Sequence, residues 1–129
     1  MFMAVYRMWE DAEATVITTM RERGSTLDQL ADAIVAHHRD YLLFRRSLHQ
    51  LALADPAVRR ARAESRRRQL ERIGAWVGKP LSPTTGAPLL LQIERLSDAI
   101  AEGELDDLGV APVAARGALT DLLGRLGRA

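Results

Sequence analysis

Apolar residues recur every three or four positions along almost the whole chain, and no stretch alternates apolar and polar residues over strand length. Phe2, Val5, Trp9, Ala12, Val16 and Met20 form one stripe and predict a first helix over about Phe2 to Arg23, with Gly24 as its stop. Thr26-Leu27-Asp28-Gln29 fits a capping box, in which Thr26 caps the next helix and Gln29 reaches back. That helix carries Leu27, Leu30, Ala31, Ile34 and Val35 inward, then His38, Tyr41 and Leu42. The pattern runs on through Phe44, Leu48 and Leu51, with a kink or short break near Arg39 to Leu43, where the stripe changes face. Asp55-Pro56 is a restart signal, because Asp caps helices well and Pro suits the first helical position. The helix that follows ends near Gly78-Lys79-Pro80. "GKPLSPTTGAP", residues 78–88, holds three of the five prolines and reads as a loop. Leu89 to Glu102 forms a further helix, "GELDDLGVAP" turns the chain, and Val113 to Leu126 forms the last one. The expected architecture is all-α, a single domain over residues 1–129 with five to six helices.

Composition narrows the classes of function. With 129 residues, 47% of them hydrophobic and 27% charged, the chain can bury one real core. There is no cysteine, which removes disulfides, thiol nucleophiles and thiolate metal sites. Arg7, Glu10 and Asp11 interrupt any signal-peptide core, and no apolar run approaches a membrane span. A cytoplasmic protein with no membrane contact is expected. The formal net charge is only +1, so basic character is local.

That local charge sits in "RRARAESRRRQLER", residues 59–72, with seven arginines and two glutamates. At about 100° per residue, the arginines spread around the helix instead of lining one face. Arg59, Arg60 and Arg67 lie away from the apolar stripe, Arg66 flanks it, and Arg62 and Arg72 share the sector of Val58, Ser65, Gln69, Ile73 and Trp76. A helix that reads DNA would gather its arginines on one exposed side. Arg62 and Gln69 leave two readings open: side chains extending from the core edge to water, or the polar wall of a pocket that could grip a carboxylate.

"HHRDYLLFRRSLHQ", residues 37–50, is chemically the most varied segment. His38, Arg45 and His49 share a face if the helix is continuous. His38 lies in the middle of the apolar stripe, either as a neutral core histidine or as a pocket hydrogen-bond group with Tyr41 and Gln50 nearby. No metal is expected, because His37 and His38 point apart and no helical ligand pair completes a set. Nothing in the pattern calls for a cofactor.

In the last helix Leu119, Leu122 and Leu126 share one side, and Gly117, Thr120 and Gly124 the other. A glycine inside a helix costs about 1 kcal/mol against alanine, and close approach of another backbone is the usual compensation. Leu89, Ile93, Leu96 and Ile100 form the stripe of the preceding helix, widened by Leu90, Ser97 and Ala101. Leu89, Ile93, Leu96, Ile100, Gly117, Thr120 and Gly124 are therefore the expected dimer interface, in which two helices from each copy build an isologous four-helix bundle; the other reading of the glycines is a weak terminal helix.

The order of elements resembles the C-terminal domain of the tetracycline-repressor (TetR) family of bacterial transcriptional regulators. "MFMAVYRMWEDA" resembles the helix that follows that family's DNA-binding domain, where an L-F-x-A-V-like start is common. "LDQLADAIVAHHRDYLLFRRSLHQLALADPAVRRARAESRRRQLERI" is similar to an amphipathic helix, a helix ending in A-x-x-D-P, and a long arginine- and glutamate-rich helix. "LLLQIERLSDAIAEGELDD" and "AARGALTDLLGRL" resemble the two dimerising helices. The resemblance covers essentially the whole chain and lacks the helix-turn-helix domain. It implies the effector-binding and homodimerisation domain of a repressor, in which DNA is contacted only through that missing N-terminal domain, or a stand-alone member. It also implies an internal pocket for a small apolar or acidic molecule. The stripes pick Trp9, Ala12, Val16, Ile34, His38, Tyr41, Leu42, Arg45, Arg62, Ser65, Gln69 and Trp76 as the inward positions. This reading makes the chain a binding domain and not an enzyme. The alternatives are a cofactor-free enzyme with His38 or His49 as general base and Tyr41 or Arg45 stabilising charge, and a pure dimerisation module with a filled core.

Overall fold

Caps and prolines at the helix starts divide the chain. The computed structural model describes residues 2–129, and all regular structure in them is helical. In order these are α1 (Phe2–Glu22), α2 (Leu27–Asp40), α3 (Leu42–Ala54), α4 (Pro56–Val77), α5 (Pro83–Ala101), α6 (Glu104–Asp107) and α7 (Pro112–Arg128). The capping box at the start of α2 is complete: Gln29 N donates to Thr26 Oγ1 at 3.2 Å, and Thr26 N donates to Gln29 Oε1 at 2.9 Å. Asp55 Oδ1 accepts from Ala57 N at 2.9 Å, ahead of Pro56 in the first turn of α4.

The expected break falls at Tyr41, whose backbone leaves the helical region at φ −112° and ψ 24°. Its N–H still donates to His37 O and its carbonyl still accepts from Arg45 N. The interruption is a kink that turns α3 away from α2, not a loop.

Two elements differ from the reading of the sequence. Helix α5 begins at Pro83, six residues before Leu89, because Ser82 caps it and Pro83 and Pro88 are both inside it. Pro83 in the first turn needs no N–H, so only Pro88 costs an intrahelical bond. "GELDDLGVAP" contains a single helical turn, α6, which brings the number of helices to seven among the described residues. Among the described residues no helix is long and apolar enough to cross a membrane.

The apolar side chains separate into two clusters. In the first, Tyr6, Trp9, Leu48 and Val58 join α1, α3 and α4, with Phe2, Tyr41 and Phe44 packed against them. In the second, Ala31, Ile93, Leu119 and Leu126 join α2, α5 and α7, with Leu89, Leu96, Ile100 and Leu122 around them. The α5 stripe is thus occupied inside its own chain, and Ile93 is only 5% exposed. Helix α4 spans both clusters, and its final turn folds back on the segment before α5. A Cβ on Gly74 would lie 2.9 Å from Lys79 O and 3.3 Å from Leu81 N. Both are backbone atoms, which cannot rotate aside. Gly74→Ala is expected to destabilise the fold by about 1–3 kcal/mol. An unchanged midpoint in urea denaturation would show that the α4–α5 connection gives way freely.

Candidate functional site

A cavity of about 480 Å³ opens beside the second cluster, between the C-terminal halves of α1 and α4, the inner face of α2, α5 and the end of α7. Helical spacing builds it. Glu13, Ile17 and Arg21 follow one another at i+4 on α1, and Leu27, Leu30, Ile34 and His38 at i+3 or i+4 on α2. Gln69, Ile73 and Trp76 do the same on α4, and α5 adds Leu90, Ile93 and Glu94. Most of the wall is apolar. The buried polar residues that line it are Glu13, His38, Gln69 and Glu94.

Behind these four lies a seam of charge between the two clusters. Asp98 accepts from Arg45 Nε at Oδ1 (2.6 Å) and from Arg45 Nη2 at Oδ2 (3.1 Å), and His38 Nδ1 lies 2.7 Å from the same Oδ1. Burial works to raise the Asp98 carboxyl, but hydrogen bonds from His38 and Arg45 and the charge of Arg45 hold it well below the usual carboxylate range. An ionised carboxylate only accepts, so His38 Nδ1 carries the proton and Nε2 is left as an acceptor. Desolvation lowers the His38 imidazole against the pull of Asp98, which keeps the ring neutral. Burial also pulls down Arg45, but its contacts with Asp98 reverse the direction. Its guanidinium lies 5.1 Å from the centroid of the Trp9 ring.

Glu13 is the unusual group. Gln69 Nε2 donates to its Oε1, and among the described residues no cation forms an ion pair with it. Burial raises its carboxyl to about 7, assisted by the charge of Glu94, while the Gln69 bond and the more distant Arg45 and Arg72 act the other way. Glu94 is paired, accepting from Arg66 Nε at 3.0 Å and Nη2 at 2.8 Å. Glu10 is also paired, with Arg68 Nε and Nη2 donating at 2.9 and 2.7 Å and Arg72 Nη2 at 3.4 Å. The hydrogen bond from Arg68 outweighs burial and lowers Glu10. Arg66, Arg68 and Arg72 therefore serve ion pairs within the chain, while Arg59, Arg60 and Arg67 are exposed.

Of the twelve expected inward positions, Ile34, His38, Gln69 and Trp76 line the cavity. Trp9 and Tyr41 belong to the first apolar cluster instead. Arg45 and Ser65 are buried in the polar seam, and Ala12, Val16 and Leu42 are half-buried away from the cavity. Arg62 is half-buried and makes no ion pair, with desolvation and the neighbouring Arg66 lowering its guanidinium. It shares a sector with Gln69 but sits two turns earlier, about 10 Å along the axis, where α4 faces the first cluster. A helical wheel gives direction and not depth, and depth separates Arg62 from the cavity.

Glu13 and Glu94 are not among the inward positions of the stripes, because a charged residue in a sequence reads as solvated. Glu13 lies four residues after Trp9 on the buried side of α1, and that spacing was the available signal. The Asp98 partner of His38 is 60 residues away, which no local pattern reveals. His49 is exposed on α3 and does not line the cavity. Among the expected interface residues, Thr120 Oγ1 donates to Asp28 Oδ1 at 2.7 Å. A Cβ on Gly117 would meet nothing, whereas one on Gly124 would approach Arg128 and Leu27. Among the described residues no three histidine or carboxylate side chains gather to hold a metal ion.

Comparisons with protein families, with curated proteins and with solved structures give no match to this chain.

Proposed function

We propose that the chain is a small-molecule-binding domain, and that the cavity beside α2 and α4 is its ligand site. The observation that carries this reading is the cavity itself, about 480 Å³, apolar over most of its wall, with a few buried polar side chains among them. That is the size and composition expected of a pocket for an organic ligand, which apolar walls desolvate and a few polar groups orient. Arg45 is engaged by Asp98 and Arg62 lies outside the lining, so neither anchors an acid, and a largely apolar ligand is favoured. Binding is favoured over catalysis because His38, the candidate base, spends its N–H on a carboxylate that Arg45 already engages.

The particular role proposed is effector binding in a regulator of the TetR type, with DNA contact supplied by a helix-turn-helix domain. The support is the succession of helices and the resemblance of their sequences. Homodimerisation remains part of the proposal; its support is the open face at Gly117 on α7, since the α5 stripe, Thr120 and Gly124 already pack inside their own chain.

The test is binding of Nile red, a neutral apolar fluorophore, to the wild type and to Ile34→Trp. The larger side chain is expected to fill the cavity, keep the helical circular-dichroism spectrum and lower dye affinity by about tenfold or more. Equal affinity in a folded variant would place dye binding elsewhere and remove the cavity as the site. Light scattering on the same samples should give the mass of a dimer; a monomer at micromolar concentration would overturn the dimer.

A further inference from the structure

The four buried polar residues of the cavity share one property: what each has left to offer is an acceptor. Gln69 uses its N–H on Glu13, and its Oε1 has no partner. His38 uses its N–H on Asp98, so Nε2 remains. Glu13 and Glu94 are carboxylates with one oxygen each outside any hydrogen bond. Glu13 is 9%, His38 2%, Gln69 6% and Glu94 8% exposed, so water does little to satisfy them. The donors of the lining belong to the exposed Thr18, Arg21 and Arg72 and the half-buried Trp76.

We infer that the ligand is a lipophilic amine whose ammonium group donates to Glu13 and its neighbouring acceptors, with its hydrocarbon body against Ile17, Ile34, Ile73 and Leu90. The inference rests on the cavity being the ligand site. An ammonium has donors and no acceptor, which suits this set, and its charge matches Glu13, the one buried carboxylate without an ion pair among the described residues. A carboxylic acid would bring two more acceptors and a repelled charge. The cations near Glu13 are already engaged, Arg45 on Asp98 and Arg72 on Glu10.

Protonation of Glu13 makes this binding depend on pH. The groups facing it are Gln69 and Arg72 from α4, Arg45 from α3, Glu94 from α5, and His38 from α2. His38, lowered by burial, stays neutral through neutral pH. Amine affinity should therefore rise as pH passes about 7 and Glu13 loses its proton.

Phenylbutylamine, phenylbutanol and phenylbutyrate share one body and differ in the head group. Isothermal titration of the full chain at pH 8 should show the amine binding about tenfold or more tighter than the alcohol or the acid. Glu13→Gln should remove that preference and leave the affinity for the alcohol within about threefold. If the alcohol or acid binds as well as the amine, the cavity remains a ligand site and the amine assignment fails. If amine preference survives Glu13→Gln, the assigned anchor is wrong. If none of the three binds and Ile34→Trp leaves Nile red binding unchanged, both readings fail together.

Discussion

Asp98→Ala is expected to cost about 3–5 kcal/mol in folding stability, because it leaves the Arg45 guanidinium buried with no counter-charge. Arg45 has 4% of its side chain exposed, and Asp98 supplies both of its hydrogen bonds to side chains. The same substitution removes the acceptor for the His38 N–H, so a second buried donor is orphaned. The reverse substitution should be milder. Asp98 is 24% exposed, so in Arg45→Met it can still be hydrated and still accept from His38. The pair should thus be asymmetric, with loss of the anion worse than loss of the cation by about 1–2 kcal/mol. Urea denaturation of both variants at pH 7 measures this directly. Equal costs, or an Asp98→Ala cost below about 1 kcal/mol, would mean that water reaches Arg45 in the folded chain. The pH dependence has a definite sign. The folded Asp98 carboxyl lies below its unfolded value, so its contribution is complete above the ordinary carboxylate range and is lost as acid protonates it.

This charged seam separates what was legible in the sequence from what was not. Local signals placed the chain's punctuation: Thr26 with Gln29, Asp55 with Pro56 and the αL Gly78 all act within four residues, and each delimits a helix as read. The same local logic erred at Pro83 and Pro88, where prolines counted as a loop lie within the first two turns of α5. Stripes showed which side of each helix is inward, and so found Ile34, His38, Gln69 and Trp76. They did not show at which level along α4 the first cluster gives way to the cavity, which is why Arg62 and Gln69 read alike. Arg66 with Glu94, Arg68 with Glu10 and Arg45 with Asp98 join residues at least 28 positions apart. A rule that charged residues face water hides every one of these pairs, because each carboxylate is admitted to the interior by an arginine from another helix.

Glu13 is the carboxylate with no such arginine, and Glu13→Gln should stabilise the folded chain at pH 8. In the unfolded chain the group has its ordinary value of 4.5, and burial raises it to about 7 in the fold. Between those two values the folded state holds a proton that the unfolded state has released. Stability contributed by this group therefore falls as pH rises through that window, and at pH 8 the deficit is about 3 kcal/mol. Glutamine keeps the shape and the acceptor for Gln69 Nε2 and carries no charge. The variant should gain up to about 3 kcal/mol over the wild type at pH 8 and almost nothing at pH 4. The comparison has to be a difference between the two proteins at each pH. His37, which burial lowers to about 4, destabilises the fold as pH falls below its ordinary 6.5, and Asp98 does so at lower pH still. Both are common to the two chains and cancel. A variant no more stable than the wild type at pH 8 would show that Glu13 is already compensated, leaving no free charge for an ammonium to meet. A gain that appears at pH 8 and disappears at pH 4 would make Glu13 a residue that weakens the empty fold, and bound amine would then restore the wild type more than the variant.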